Sequence, residues 1–176
     1  MRVTGGVLLG RNVEVPPGII RPSMDRMRES VFAVLGDIAG LSFLDIFTGT
    51  GIIALEAASR GCTYVEAVEA DTGKIKVLLK NAAMSPVRIN FRFMPAELYV
   101  KRAKKQFHII FLDPPFNYGF KKELLENIAE SKLLTNESKI LLHRPRKDFQ
   151  MNKCVCFEKY DQREYGNSIV DFFRTK

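Results

Sequence analysis

Leu44-Asp45-Ile46-Phe47-Thr48-Gly49-Thr50-Gly51, followed without a break by Ile52 to Ser59 and then Arg60-Gly61, is the stretch on which the fold turns. A short apolar run leads into two glycines separated by one residue, then into an apolar segment of helical length that Gly61 stops. This reads as strand, tight turn and helix. The paired glycines let the backbone approach a ligand while it turns, and Ala54 completes a Gly-x-Gly-x-x-Ala pattern.

The same alternation continues outward from this unit. Strands are expected at 42–47, 64–70, 89–94, a run ending at Asp113, and 139–143, with helices at about 51–60, 72–84, 96–105 and 119–131. In the second helix Ile75, Leu78, Leu79 and Ala82 should face inward and Lys74, Lys76 and Lys80 outward; in the last, Phe120, Leu124, Leu125 and Ile128 should face inward. Two further strands, 153–160 and 168–174, flank Gly166-Asn167 and should form an antiparallel hairpin at one edge. The expected class is α/β, with a Rossmann-like, mostly parallel seven-stranded sheet and helices on both faces.

Upstream, Ser23 is placed to cap a helix that carries Met24, Met27, Val31, Val34 and Leu35 on one face and ends at Gly36. Asp25, Arg26, Arg28, Glu29 and Ser30 lie on the other face, either solvated or lining a site beside Arg21. Residues 1–20 hold two short strand-like pieces around glycines and are expected as an N-terminal β-hairpin extension, too small to fold alone. Residues 21–176 should form one globular unit, expected to be a monomer.

With 46% hydrophobic residues among 176, there is material for one proper core, and no apolar run approaches the roughly 18 residues of a membrane span. Residues 1–20 lack the apolar centre of a signal peptide, and Cys62, Cys154 and Cys156 are an odd set without metal-ligating neighbours. A soluble cytoplasmic protein without a metal is expected. The net charge of +7 is concentrated, since Thr72 to Lys105 carries nine Lys and Arg against the single acid Glu97. Such a surface attracts phosphates irrespective of sequence, although solvated helix faces would look similar.

In doubly wound sheets ligands bind outside the carboxyl ends of the strands. Glu69 ends the second strand and can accept both hydroxyls of a ribose. The glycine pattern also fits a nicotinamide dinucleotide, but Asp45 favours another ligand: a carboxylate before the turn would repel a pyrophosphate and attract the ammonium and sulfonium of S-adenosylmethionine (SAM). Phe47, Gly49 and Gly51 would line the same site. Ala96 and Glu97 follow the third strand and would lie near the adenine, unless Glu97 is simply an acid at a helix start.

The second informative stretch is Phe107-His108-Ile109-Ile110-Phe111-Leu112-Asp113-Pro114-Pro115-Phe116. It reads as a strand buried on both faces, ended by prolines that cannot donate to the ladder. Beyond it lie a carboxylate, two residues with carbonyls and no N–H, and an aromatic ring. That set suits a substrate bringing its own donors, such as the exocyclic amine of a flipped base, with Phe116 stacked on the ring. His108, inside the strand, reads as a packed core histidine.

These segments together resemble the RsmD family of bacterial 16S ribosomal RNA (guanine-N2) methyltransferases over nearly the full length. The likeness rests on Arg2-Val3-Thr4-Gly5-Gly6 with Gly10-Arg11, on Arg21-Pro22-Ser23-x-Asp25-Arg26-x-Arg28-Glu29, on the stretch from Leu44 to Gly61, on Asp113-Pro114-Pro115-Phe116, and on Tyr165-Gly166. It implies SAM-dependent methylation of a guanine amine in ribosomal RNA, free or within the small subunit, leaving S-adenosylhomocysteine. Asp45, the glycine loop and Glu69 would hold the cofactor, and Asp113 to Phe116 the base. Asp113, ending a strand beside Asp45, is also expected at the cofactor. Arg2, Arg11, Arg21, Arg26, Lys101 and Arg102 are candidate RNA contacts. His143 departs from the family pattern, which usually has Glu there, and Arg144-Pro145-Arg146-Lys147 is unusually basic. Alternative readings are an adenine-N6 methyltransferase, disfavoured by the absence of an apparent target-recognition domain, and a non-catalytic RNA-binding assembly factor.

Overall fold

The computed structural model describes residues 1–17, 24–148 and 156–176. Arg21, the Ser23 cap and Cys154 fall outside the described residues. Seven strands form one sheet: β1 (Ser42–Ile46), β2 (Tyr64–Glu69), β3 (Ile89–Phe93), β4 (Phe107–Leu112), β5 (Leu134–Pro145), β6 (Glu158–Tyr165) and β7 (Ser168–Arg174). Their order is β3-β2-β1-β4-β5-β7-β6, parallel except that β7 is antiparallel to both neighbours. The order reverses between β1 and β4, which opens a crevice at their carboxyl ends.

Alternation along each strand sends successive side chains to opposite layers. Phe43, Ile109 and Phe111 pack with α1 (Asp25–Leu35) and α2 (Ile52–Ser59), while Leu44, Ile46, Ile110 and Leu112 pack with α4 (Ala96–Arg102) and α5 (Lys121–Glu130). Both faces are therefore covered, as the continuous apolar runs of β1 and β4 require. The two-turn helix α3 (Ile75–Ala82) joins β2 to β3.

Several positions differ from the sequence reading. His108 is exposed rather than core, its Nδ1 accepting from the Ser42 backbone N–H at 3.1 Å, because the ladder shifts register between Phe107 and Ile109 at the strand's amino end. Leu79 and Phe120 are 54% and 63% exposed. Phe120 is the cap of α5, where helical periodicity does not yet apply, and Leu79 sits one residue past the buried Leu78 on a helix whose start is turned by a preceding 3-10 turn, Thr72–Lys74. Of the strand expected at 153–160, residues 153–155 lie outside the described residues; the observed strand runs Glu158–Tyr165 and is mostly charged, as exposed edges usually are.

The N-terminal segment is a single antiparallel bridge, Arg2 to Asn12, around a 3-10 turn at Gly6–Leu8, rather than a two-stranded ladder. Val3 and Val13 plug into the main core. Arg28, expected either solvated or lining a site, is instead fully buried and donates to Glu56 Oε1 at 3.1 Å, Asp25 Oδ1 at 2.6 Å and the Arg2 carbonyl at 2.7 Å. Thr4 N–H and hydroxyl both reach the same Glu56 oxygen at 2.7 Å. Part of the Arg-Pro-x-x-Asp-Arg-x-Arg signature thus fastens the N-terminal segment to α1 and α2.

Candidate active site

At the carboxyl ends of β1, β2 and β4 lies a cavity of about 450 Å³, a size usual for small-molecule sites. Its lining includes Asp45, Phe47, Gly49, Glu69, Asp113 and Phe116. Asp45 is the last residue but one of β1 and is 1% exposed. Its Oδ2 accepts from the Thr48 hydroxyl and from Ala54 N–H at 3.2 Å, while Oδ1 is buried with no hydrogen-bond partner among the described residues. Burial pushes its pKa up to about 7, helped by the neighbouring charges of Asp113 and Glu69 and opposed by the Thr48 and Ala54 hydrogen bonds. A buried carboxylate with one idle oxygen is a receptor for a cationic donor.

The chain leaves β1 through Phe47, a non-glycine residue at φ 65°, and Gly51 starts α2 in the left-handed conformation at φ 78°. A Cβ at Gly51 would stand 3.1 Å from Leu78, besides being strained there. Gly49 donates its N–H to Glu69 Oε2 at 2.9 Å, tying the glycine loop to the end of β2. Glu69 Oε1 accepts from Asp71 N–H at 3.0 Å and faces Lys74 Nζ at 3.3 Å. Sequence reading placed Lys74 outward; Glu69 draws it to the cavity wall, which no periodicity could signal.

Ala96 and Glu97 do not line the cavity. Ala96, the first residue of α4, is packed in the core, and Glu97 accepts instead from the Tyr118 hydroxyl. Tyr118 meets the Phe47 ring edge-on, with centroids 5.2 Å apart, so Glu97 is linked to the site through that ring.

On the other wall, the loop after β4 is held at several points. Asp113 N–H donates to the Ile46 carbonyl at 3.2 Å, and Asp113 Oδ1 lies 2.8 Å from His143 Nδ1 at the end of β5. Phe116 packs edge-on against the His143 ring, with centroids 5.9 Å apart. The Pro115 carbonyl accepts from Tyr118 N–H at 2.8 Å. Lys121, 6% exposed, donates to the Phe116 and Tyr118 carbonyls and pairs with Asp148 at 3.0 Å. The contacts of His143 and Lys121 with this loop escape a sequence reading, although His143 stands out as a departure from the family pattern, because they approach from β5 and α5.

The candidate RNA contacts divide by location. Arg26 is exposed on the first turn of α1, near Tyr165 at the carboxyl end of the sheet. Arg2 and Arg11 are exposed on the N-terminal segment, with Arg2 paired to Asp25 at 3.3 Å. Lys101 and Arg102 end α4, just before the start of β4, and Lys105 lies 3.3 Å from the centre of the Tyr64 ring at the start of β2. A helix joining parallel strands runs back to their amino ends, so this cluster sits on the edge opposite the cavity. The exposed cations beside the cavity edge are instead Arg146, Lys147 and Arg163. Among the described residues no helix is long and apolar enough to cross a membrane.

Sheet order, glycine turn and strand-end carboxylates define a Rossmann-like methyltransferase fold. The model of the family described as "Conserved hypothetical protein 95" matches residues 1–174. The chain is 34% identical over 145 residues to "Ribosomal RNA small subunit methyltransferase D" of Escherichia coli K12, covering 80% of this chain and 72% of the relative. It superimposes on solved yhhF of Escherichia coli with a TM-score of 0.88 at 25% identity, covering 100% of this chain and 98% of that one. Against a hypothetical protein of Thermus thermophilus, TTHA0928, the TM-score is 0.83 at 26% identity, with 98% of each covered. The chain belongs to the RsmD family.

Proposed function

We propose that this protein transfers a methyl group from SAM to the exocyclic N2 amine of a guanine in 16S ribosomal RNA. The supporting observation is the juxtaposition, across one cavity, of a buried carboxylate with an idle oxygen and a strand-end loop that carries a carboxylate, two prolines and an aromatic ring. The methyltransferase D relative supports ribosomal RNA as the substrate class.

The cofactor residues fit SAM. Asp45 Oδ1 is an unused acceptor for a cationic donor, Glu69 retains acceptor capacity for ribose hydroxyls, and Gly49 and Thr50 bring backbone to the cavity wall. SAM supplies an electrophilic methyl on a sulfonium. A guanine amine is a weak nucleophile because its lone pair is delocalised into the ring, so what the chain contributes is orientation. Asp113 and the Pro114 carbonyl accept the two amine protons and turn the lone pair toward the methyl; Phe116 stacks on the flipped base. Of the two prolines Pro114 takes this part, since Tyr118 occupies the Pro115 carbonyl. RNA approaches the carboxyl edge, where Arg26, Arg146, Lys147 and Arg163 lie on the side formed by α1, β5 and β6, with Arg2 and Arg11 as further contacts on the N-terminal segment and the Lys101, Arg102 cluster acting only as long-range attraction.

Labelled SAM offered with naked 16S ribosomal RNA, assembled small subunits and DNA in parallel tests this reading. Label in guanine N2 of the RNA is expected. Label in adenine, or in DNA alone, refutes it.

A further inference from the structure

His143 stands behind the wall of this cavity, against two of its lining residues, Asp113 and Phe116. It is 2% exposed, so both ring nitrogens need partners, and both have them: Nδ1 at 2.8 Å from Asp113 Oδ1, Nε2 at 2.9 Å from Ser168 Oγ. Ser168 Oγ is also 3.1 Å from the Tyr165 carbonyl. A hydroxyl both donates and accepts, so Ser168 can donate to Nε2 of a neutral ring or, giving its proton to Tyr165, accept from Nε2–H of a charged one. In either arrangement the proton on Nδ1 points at Asp113. The chain of contacts extends through the Tyr165 hydroxyl, which donates to Ser30 on α1 at 2.6 Å.

The geometry points to His143 as a positioning residue that holds Asp113 and Phe116 in the pose that receives the target amine, with Ser168 fixing the orientation of the imidazole. Asp113 stands at a strand-to-loop junction with its side chain 20% exposed, where its rotamer is set by the groups that reach it from neighbouring elements. By engaging Oδ1 from β5, His143 decides which way the carboxylate is presented to the cavity. The same ring supports the edge of Phe116, so one side chain sets the spacing between the acceptor and the stacking platform. His143 itself is held by register: it pairs with Val170 of β7, and Pro145, at the end of the same strand, pairs with Ser168 across the same ladder. This inference rests on the reading of Asp113 to Phe116 as the base-holding loop.

The test compares His143→Ala, His143→Asn and His143→Gln, with turnover on 16S ribosomal RNA, calorimetric SAM affinity and thermal melting measured for each. The Asn amide reaches the position of Nδ1 and the longer Gln amide that of Nε2. His143→Ala should lower kcat on the order of 10- to 100-fold, a misplaced reacting group being costly, with SAM affinity within about two-fold of the parent. His143→Asn should regain most of that loss and His143→Gln should not. Turnover of His143→Ala at the parent rate overturns the proposal. So does an Asn variant no better than Ala or Gln, or a parallel fall of melting temperature, SAM affinity and turnover in all three, which describes a residue that only holds the fold. Asp113→Ala, run alongside, separates the two ideas: if it is inactive while His143→Ala is fully active, the loop reading stands and the positioning role falls; if it is fully active, the loop reading itself falls.

Discussion

Asp45 and Asp113 end adjacent parallel strands, with Asp45 opposite Phe111 and Asp113 two residues further along, yet their surroundings are opposite in kind. Asp45 is buried in the crook of the glycine turn at the cavity wall, with one oxygen bonded and the other idle, and its pKa is pushed up to about 7. Asp113 opens to the cavity and is braced by His143. The first is an electrostatic strain that a cationic ligand relieves, while the second is a pre-arranged acceptor. On the proposed reading, binding and orientation fall to different carboxylates.

Substitutions should separate these roles. The largest effect is expected at Asp113: Asp113→Ala should lower turnover on the order of 100- to 1,000-fold, as loss of a preorganised polar contact does elsewhere, with SAM affinity within a few-fold by calorimetry. Asp45→Asn should do the reverse, weakening SAM on the order of 100-fold through loss of a buried charge partner. The same variant should melt higher than the parent at pH 8 without ligand, because an amide costs less to bury there than a carboxylate.

A pH series sharpens the contrast. The folded pKa of Asp45 lies above its ordinary value of 3.8, so between about 4 and about 7 the folded state binds the additional proton. Its contribution to the stability of the ligand-free protein is therefore present at low pH, is lost as pH rises to about 7, and stays level above. SAM affinity should run the other way, falling about tenfold per pH unit below about 7 and flattening above it. A flat affinity between pH 6 and 8 would remove Asp45 as the cation's partner.

Smaller effects are expected further from the two acids. Phe116→Ala should raise the RNA KM by roughly 5- to 150-fold, corresponding to about 1–3 kcal/mol of stacking, and leave measurable turnover. Lys147→Ala and Arg163→Ala should each make the salt dependence of RNA affinity shallower by roughly one log unit per log unit of salt. Lys101→Ala should change it less. Equal slopes for the two edges would show that the RNA does not distinguish them.

Much of this arrangement is legible in the chain as written. Apolar runs ending in Asp45, Glu69 and Asp113, with helical segments between them, dictate a parallel sheet whose carboxyl ends gather those acids, because each side chain's place follows from local periodicity and crossover handedness. The glycine turn is equally local, since left-handed backbone at Gly51 demands a residue without a side chain. Tertiary structure alone decided what local pattern cannot encode. Arg28 looks like a surface charge until Glu56, twenty-eight residues on, is seen to bury it. Lys101 and Arg102 belong to the most basic stretch, but the antiparallel return of α4 carries them to the far edge. His143 and Asp113 are thirty residues apart and meet only because β5 lies beside β4, so the partner of this cavity-lining acid is set by strand order rather than by sequence neighbourhood.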